Sequence, residues 1–380
     1  MTVFDALVGQ RHTVAMLQRA VAGQGMTHAW LFTGPPGSGR SNAAIAFAAA
    51  LQCKKGGCGE CQSCRTAMAG SHPDISVNRT DTSVHKVEDM RDLVRRAALS
   101  PSLGRYQIMV IEDADRLAIG ENHKTANALL KAIEEPNART IWMLCCPTVE
   151  DVLPTIRSRC RSVVLSTPSA QEVAGFLETS VGVPDSLAAY AARASQGHIG
   201  RARALALDEK TRNRRNEVVQ LPKGLTNLAA CLNAAANLVD IAKDETASIT
   251  EQANNKELED LQTMLGSDTK ARSSRTYKAG LTELAKEQKQ REKRRNLDVV
   301  DRCLMDLLSV YRDVIAVQTG AEGTLVNEEI AGDIRELARR TTPESNLRRI
   351  AAVFNARQQM MDFNTPPLLA LEALMVALKV

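Results

Sequence analysis

Apolar and polar positions divide the chain into a part with short apolar runs and a later part with helical spacing. Up to about residue 165, the runs alternate with segments of helical periodicity. The runs predict strands at Ala29 to Thr33, Asp74 to Asn78, Gln107 to Ile111 and Thr140 to Cys146. Helical spacing covers Met16 to Val21, Asn42 to Leu51, Val87 to Leu99 and Thr125 to Glu135. This alternation predicts an α/β fold, with a parallel sheet and helices on both faces.

The chain after Pro168 has no convincing strand pattern. Short helices are expected at Gln171 to Val181 and at Pro184 to Ala194, before Gly197 and Gly200 interrupt the pattern. From about residue 210 the spacing is helical throughout, with charged faces. We therefore predict an α/β domain at 1–165, a small helical lid at 166–208 and an all-α domain at 209–380.

Composition narrows the classes of function. The 380 residues can form more than one hydrophobic core. The chain has only 6 Phe, 4 Tyr and 2 Trp, which argues against a surface that stacks bases on aromatic rings. A formal net charge of +4 is too small for a globally basic nucleic-acid binder. The first residues lack a signal-peptide pattern, and the longest apolar run, Leu368 to Leu378, is too short to cross a bilayer. We expect a cytoplasmic protein with no membrane contact.

The charge is concentrated in one segment, at about 240–296. Eight acids and two lysines lie between Asp240 and Asp268, and ten Lys/Arg against three Glu follow between Lys270 and Arg295. The segment could form a protruding helical hairpin whose basic half touches DNA phosphate. We prefer the simpler interpretation of a solvated, partly disordered insertion.

Four of the nine cysteines lie within twelve residues, in the pattern C-x4-C-x2-C-x2-C: Cys53, Cys58, Cys61 and Cys64. Four thiolates at such short spacing can surround a tetrahedral Zn²⁺, and a shell without an open position is structural. A site of this kind contributes roughly 10 to 16 kcal/mol, more than a short glycine-rich loop gains by packing. The alternatives are an iron–sulfur centre, a redox-active thiol set or four unliganded cysteines.

A glycine-rich loop, Gly34-Pro-Pro-Gly37-Ser-Gly39-Arg40-Ser41, follows the first strand and precedes an Ala-rich helix. Backbone N–H groups of such a loop and the helix N-terminus form a phosphate cradle. The pattern fits G-x-x-x-x-G-K-[ST] except that Arg40 replaces the lysine, and a planar guanidinium is a poor substitute for a compact ammonium. The loop predicts phosphate binding, with ATP and Mg²⁺ as possible ligands, and poor hydrolysis. A plain glycine-rich turn is the alternative.

The third predicted strand ends in Glu112 and Asp113. Acids at this end of a parallel strand can hold a nucleotide's Mg²⁺ and the attacking water. The usual order is Asp then Glu, so the reversed order displaces the carboxylates by about one C–C bond and could reduce the rate roughly 100-fold. Without the glycine loop, a solvated acidic strand end would be the default interpretation.

Together with further motifs, these features resemble the AAA+ clamp loaders of bacterial DNA polymerase III, well over about the first 205 residues and weakly beyond. The run from Thr125 to Pro136 is similar to the helix that follows the acidic strand in that family. The family carries a zinc module at the position of the four cysteines, usually with a longer first gap, so Cys53 is the ligand that the resemblance supports least. Phe363 to Leu368 is similar to the end of the family's collar domain, which joins subunits into a ring.

The resemblance also implies roles for single residues. Gly9 and Gln10 match a segment that lies against the adenine. Arg159, in Ser-Arg-Cys, matches an arginine finger that reaches a neighbouring subunit's ATP site, although a bare Arg before Cys is most often an ordinary surface residue. Arg201, in the run Gly197-His-Ile-Gly-Arg, matches a second sensor of nucleotide, with Arg203 as a less favoured alternative.

Altered hydrolytic positions beside an intact finger favour a delta-prime-like subunit over an ATP-cycling one. This implies that the chain hydrolyses ATP poorly or not at all while serving an adjacent subunit. The implied partners are delta-like and gamma/tau-like subunits in a pentameric ring, with the sliding clamp and primed DNA reached through the complex. The alternatives are an ATP-hydrolysing motor subunit of the same loader and a zinc-bearing AAA+ scaffold outside replication.

Overall fold

The computed structural model describes residues 2–80, 84–117, 124–265, 275–321, 323 and 325–379. The chain separates into two compact units, Met1–Leu207 and Asp208–Val380. None of the helices in these described ranges is both long and apolar enough to cross a membrane.

The first unit contains a sheet of five parallel strands in the order β2-β3-β4-β1-β5. The strands are β1 Ala29–Thr33, β2 Ile75–Asn78, β3 Gln107–Ile111, β4 Thr140–Cys146 and β5 Arg161–Val164. The predicted α/β fold with a parallel sheet is confirmed, and β1, β3 and β4 have the predicted bounds. The short edge strand β5 was not predicted. Only Val163 in it is buried, so it has no continuous apolar run.

Helices cover both faces of this sheet because successive side chains of a buried strand point to opposite sides. Trp30 and Phe32 of β1 pack in one core, and Ala29 and Leu31 pack in the other. The helices of the unit are α1 Arg11–Val21, α2 Arg40–Gln52, α3 Gln62–Met68, α4 Val87–Ala97, α5 Lys124–Glu134, α6 Pro154–Arg157, α7 Ala170–Phe176, α8 Asp185–Ser195 and α9 Ile199–Leu207. Helices α7, α8 and α9 share a small core of their own, which includes Val173, Ala191 and Leu205.

The second unit is helical in its described residues. Its helices are α10 Glu209–Gly224, α11 Leu228–Leu265, α12 Arg275–Gln318, α13 Ala331–Arg340, α14 Pro343–Met361 and α15 Pro367–Leu378. Its core contains Leu238, Leu304, Leu307, Tyr311 and Leu374, all nearly inaccessible to solvent. Arg215 is also buried there, and its guanidinium contacts the carboxylates of Asp306 and Glu329. The helical prediction for the C-terminal part is confirmed.

The described residues of the charged segment are helical, and residues 266–274, over which partial disorder was also expected, lie outside the described residues. The segment occupies the end of α11 and the beginning of α12, which pair with each other. Arg291 contacts Glu257 at 2.7 Å, and Gln288 donates to the carbonyl of Asn254 at 3.1 Å. Half-buried leucines such as Leu258 add apolar contact area. Cross-helix ion pairs and leucines at helical spacing therefore stabilise two helices where net charge alone indicated disorder.

Candidate functional site at the carboxyl end of the sheet

The strand register places two of the predicted features, the glycine loop and the acids, at one edge of the sheet, beside the end of β4. The end of β1 that leads into the glycine loop lies beside the end of β4, with Thr33 opposite Cys146. The end of β3 that leads into the acids lies on the other side of β4, with Ile111 opposite Leu144. Parallel strands bring their carboxyl ends to a common edge, which is where open α/β sheets bind ligands. The glycine loop, the acids and the two cysteines of β4 therefore form one site.

The glycine loop has the backbone geometry of a phosphate cradle. Gly34, Gly37 and Gly39 have φ angles of 154°, 81° and 90°, in a region that other residues rarely adopt. Ser41 is half-buried in the first turn of α2. The hydroxyl of Ser38 is buried and has no hydrogen-bond partner within the described part of the chain. An unpartnered donor inside such a loop fits an anionic ligand or a water.

Arg40 does not occupy the loop as a phosphate-binding lysine would. Its guanidinium folds back, and Nη1 donates to the carbonyl oxygen of Gly34 at 3.0 Å. The guanidinium of Arg40 therefore links the end of the glycine loop to its beginning. A terminal phosphate would gain this charge only after the contact to Gly34 breaks.

The two acids predicted to hold Mg²⁺ and the attacking water, Glu112 and Asp113, are both close to arginines. Glu112 is 6% exposed and forms a two-point ion pair with Arg79, at 2.6 and 3.0 Å. Asp113 has a positive φ of 51° and lies 3.5 Å from Arg116. Burial, and then repulsion from Asp113, raise the pKa of Asp115 next to it. A Mg²⁺ ion would have to compete with guanidinium groups for these carboxylates.

The end of β4 presents two thiols between the glycine loop and the acids. Cys145 and Cys146 are both buried. Burial raises the pKa of Cys146 to about 12 and also raises that of Cys145, so both thiols stay protonated at neutral pH. The Sγ atom of Cys146 donates to the carbonyl of Thr148 at 3.0 Å. A protonated thiol is a weak donor, so this position contributes little to binding a terminal phosphate.

The segment Gly9-Gln10, expected to lie against an adenine, is hydrogen-bonded to the chain just after β5. The side-chain amide of Gln10 donates to the carbonyl of Ser166 at 2.7 Å and accepts from its N–H at 3.2 Å. Gly9 has a φ of 72° and lies against Pro168. Because both polar groups of the amide are used internally, Gln10 fixes the backbone of this segment.

The candidate finger lies on the surface. Arg159 follows α6, and 39% of its side chain is exposed. Its guanidinium donates to the carbonyl of Thr155 at 2.7 Å and contacts the carboxylate of Glu134 at 2.8 Å. An exposed ion pair of this kind is weak, so the arginine can leave Glu134 at little cost.

The candidate sensor lies at the start of α9. Arg201 is half-buried, whereas Arg203 is exposed. The backbone N–H of Arg201 donates to Nδ1 of His198 at 3.2 Å. The imidazole of His198 in turn lies against Gly37 of the glycine loop. This contact brings the beginning of α9 to the loop.

The four clustered cysteines have the geometry that a tetrahedral zinc ion requires. Their Sγ atoms all lie within 4.8 Å of one another. The Sγ atom of Cys53 is 3.7 Å from those of Cys58 and Cys61. Tetrahedral zinc with Zn–S bonds of about 2.3 Å separates neighbouring sulfurs by about 3.8 Å. The residues fit a structural zinc ion, Cys53 included.

Local backbone geometry supports a thiolate at Cys53, whereas burial raises the pKa of Cys64. Burial acts to raise the pKa of Cys53, but N–H groups led by those of Cys58 and Gly57 outweigh it and lower the pKa to about 6. The N–H of Lys55 is 3.3 Å from the same sulfur. Cys61 caps the start of α3, and its Sγ accepts from the N–H of Cys64 at 3.4 Å. The deprotonated form that binds zinc is therefore stabilised at the first ligand before any metal is considered.

Three residues of the site were missed by sequence reasoning: Arg79, Arg116 and His198. Arg79 directly follows β2, whose end lies beside that of β3, with Asn78 opposite Ile111. The signal for Arg79 is a basic residue at the end of one strand and an acidic residue at the end of the neighbouring strand. This signal can be recognised only once the strand order is known.

The sequence of the first unit is similar to those of known proteins. Residues 9–169 match the family described as DNA polymerase III, delta subunit. Over these residues the chain is similar to subunits of DNA polymerase III. DNA polymerase III subunit tau of Bacillus subtilis is 32% identical over 182 residues, which cover 47% of this chain and 31% of that protein. Subunit delta' of Pseudomonas aeruginosa is 36% identical over 149 residues, 38% of this chain and 44% of that protein.

The chain thus spans less than half the length of these two relatives. The solved structure of the Bacillus subtilis DNA clamp loader delta protein aligns with 96% of this chain and 99% of its own, at 10% identity and a TM-score of 0.35. The family match covers the glycine loop, the acids, the cysteine cluster and Arg159, and it ends before α9.

Proposed function

We propose that this protein is a delta-prime-like subunit of a DNA polymerase III clamp loader, which supplies Arg159 to the ATP site of a neighbouring subunit and itself hydrolyses ATP poorly or not at all. In this proposal it joins delta-like and gamma/tau-like subunits in a pentameric ring. The ring places the sliding clamp on primed DNA in the cytoplasm. Zinc at the four cysteines stabilises the α/β domain.

One observation carries the proposal: the hydrolytic groups are occupied by internal contacts, whereas the finger is exposed. Arg40 is held by the carbonyl of Gly34, and Glu112 is held by Arg79. Among the described residues, the guanidinium of Arg159 makes only weak surface contacts. A guanidinium donated in trans neutralises charge on the transferring phosphoryl group, an effect worth about 10³ to 10⁵ in rate in other NTPases.

The proposed test is the reconstituted ring with wild-type or Arg159→Ala chain. We expect the variant to fold and assemble, and DNA-stimulated ATP turnover by the ring to fall severalfold because one site loses its finger. Arg139→Ala removes another exposed arginine from the same unit and serves as the control. Turnover that is equal in both variants and in wild type contradicts the assignment of Arg159.

The second candidate is an ATP-hydrolysing, gamma/tau-like motor subunit. It is favoured by the cradle geometry of Gly34, Gly37 and Gly39 and by the unpartnered hydroxyl of Ser38. The two candidates differ in what the purified chain does alone. Robust ATP turnover that Arg40→Ala abolishes supports the motor subunit, whereas turnover at background level supports the delta-prime-like assignment.

A further inference from the structure

The imidazole of His198 lies directly on the glycine loop. A Cβ atom built on Gly37 would lie 2.2 Å from Cγ of His198 and 2.4 Å from Cδ2. Real Cβ atoms do not approach other atoms this closely, so the ring fills the space that any side chain at position 37 would need. The backbone N–H of Ile199 also points to the loop and donates to the carbonyl of Gly37 at 3.4 Å.

The backbone around His198 holds the ring in this place. Gln196 and Gly197 both have positive φ angles, 51° and 86°, and this turn reverses the chain between α8 and α9. A Cβ on Gly197 would lie 2.2 Å from Cγ2 of Thr167, so the turn is packed against the chain that follows β5. The N–H of Arg201 then donates to Nδ1 of His198 and fixes the plane of the ring. The same hydrogen bond requires Nδ1 to be the unprotonated nitrogen.

We propose that His198 acts as a latch: its imidazole covers the glycine loop and must move away before a nucleoside triphosphate can bind there. The inference rests on the proposed function only in taking this loop as the phosphate site. A phosphate chain lies along the N–H groups of such a loop, and the first turn of the following helix must be open to it. Here the ring of His198 covers Gly37. At the start of α9, the N–H of Ile199 donates to the carbonyl of Gly37, and the N–H of Arg201 donates to the ring. The contact of His198 with Gly37 thus closes the glycine loop from within the same chain, and no second protein is needed for it.

The latch predicts a gain of binding when the ring is removed. If only a small fraction of molecules has the ring withdrawn, the apparent affinity is reduced by that fraction. His198→Asn removes the ring but keeps a side-chain oxygen that can accept the N–H of Arg201, so α9 retains its first-turn contact. His198→Ala removes both. Gln171→Ala changes an exposed position on α7 and is the control for the same helical group.

The experiment is titration of each purified full chain with a fluorescent ATP analogue, MANT-ATP, in the presence of Mg²⁺. We expect His198→Asn to bind at least tenfold more tightly than wild type, and Gln171→Ala to bind as wild type does. Circular dichroism checks that each variant is folded, and His198→Asn covers the case in which His198→Ala is not. Equal affinities of wild type and His198→Asn, whether tight or undetectable, overturn the latch. Neither result alters the Arg159 test, which measures turnover at a neighbour's site.

Discussion

Arg79 and Glu112 form an ion pair of two parallel contacts, at 2.6 and 3.0 Å, at the edge where a metal-binding carboxylate was expected. The pair is unequal in exposure, because 8% of the Glu112 side chain is exposed but 65% of the Arg79 side chain is. Removing the arginine therefore leaves a buried carboxylate without its partner, while solvent screens part of the loss. The pair holds the ends of β2 and β3 together and withholds Glu112 from a metal.

We expect Arg79→Gln to lower the free energy of unfolding of the first unit by about 1 to 2 kcal/mol, between the values for exposed and buried pairs. Arg95→Gln is the matched control, because its pair with Asp92 is exposed on both sides. We expect the control to change stability by no more than about 0.5 kcal/mol. Urea unfolding measures both variants, and Glu112→Gln completes a double-mutant cycle. Equal losses in Arg79→Gln and Arg95→Gln would mean that the burial of Glu112 adds nothing.

The fold could be predicted where strands are buried on both faces. β1, β3 and β4 are continuous apolar runs, and such runs identify central parallel strands without knowledge of their neighbours. β5 was missed because an edge strand needs few apolar residues, and Arg161 and Ser162 conceal it. Helix α3 was missed because it lies within the cysteine segment, where metal-ligand spacing dominates the pattern.

The site could be predicted only as far as chain-local signals reach. The glycine loop and the cysteine cluster follow from spacing, since their geometry is made by residues near in sequence. The return of Arg40 onto Gly34 depends on a side-chain conformation, which sequence does not encode locally. The partners of Glu112 and Gly37 are 33 and 161 positions away along the chain, so they depend on strand order and on the turn before α9. Long-range packing thus decides which motif residues are available for chemistry.

The cysteine cluster predicts one bound zinc ion per chain. We expect Cys64→Ser and Cys53→Ser each to lose the metal, because a hydroxyl does not replace a thiolate in a four-sulfur shell. Loss of the site removes a contribution of roughly 10 kcal/mol from a short loop, so the first unit also unfolds at lower temperature. Cys231→Ser is the control, since it removes a fully buried thiol outside the cluster.

Atomic emission spectrometry of gel-filtered protein measures zinc per chain, and thermal scans measure stability. The assignment fails if Cys64→Ser retains the metal content of wild type. It also fails if the wild-type protein carries iron with visible absorption, which indicates a cluster of iron and sulfide instead.

Asp74 predicts an acid dependence of stability in the first unit. Its carboxylate is 1% exposed and accepts N–H groups from Ser102, Leu103 and Gly104 at 2.5 to 2.8 Å. Burial acts to raise the pKa of Asp74, but these three donors outweigh burial, and the pKa is lowered. A carboxylate with a lowered pKa stabilises the folded state above its unfolded pKa of about 3.9, and this contribution is lost as the pH falls through the folded pKa.

We expect Asp74→Asn to lower the unfolding temperature of the first unit by about 5 °C at pH 7, equivalent to about 2 kcal/mol of charge-assisted hydrogen bonding. The difference from wild type should persist at pH 5 and begin to shrink toward pH 3, because the carboxylate in the unfolded chain takes up a proton below its pKa of about 3.9 while the folded carboxylate resists protonation. Asp89→Asn removes an exposed carboxylate from α4 and should leave the unfolding temperature nearly unchanged. Differential scanning calorimetry at the three pH values gives the comparison. A difference between wild type and Asp74→Asn that stays constant from pH 5 to pH 3 means that the charge of Asp74 is not what orders the chain at 102–104.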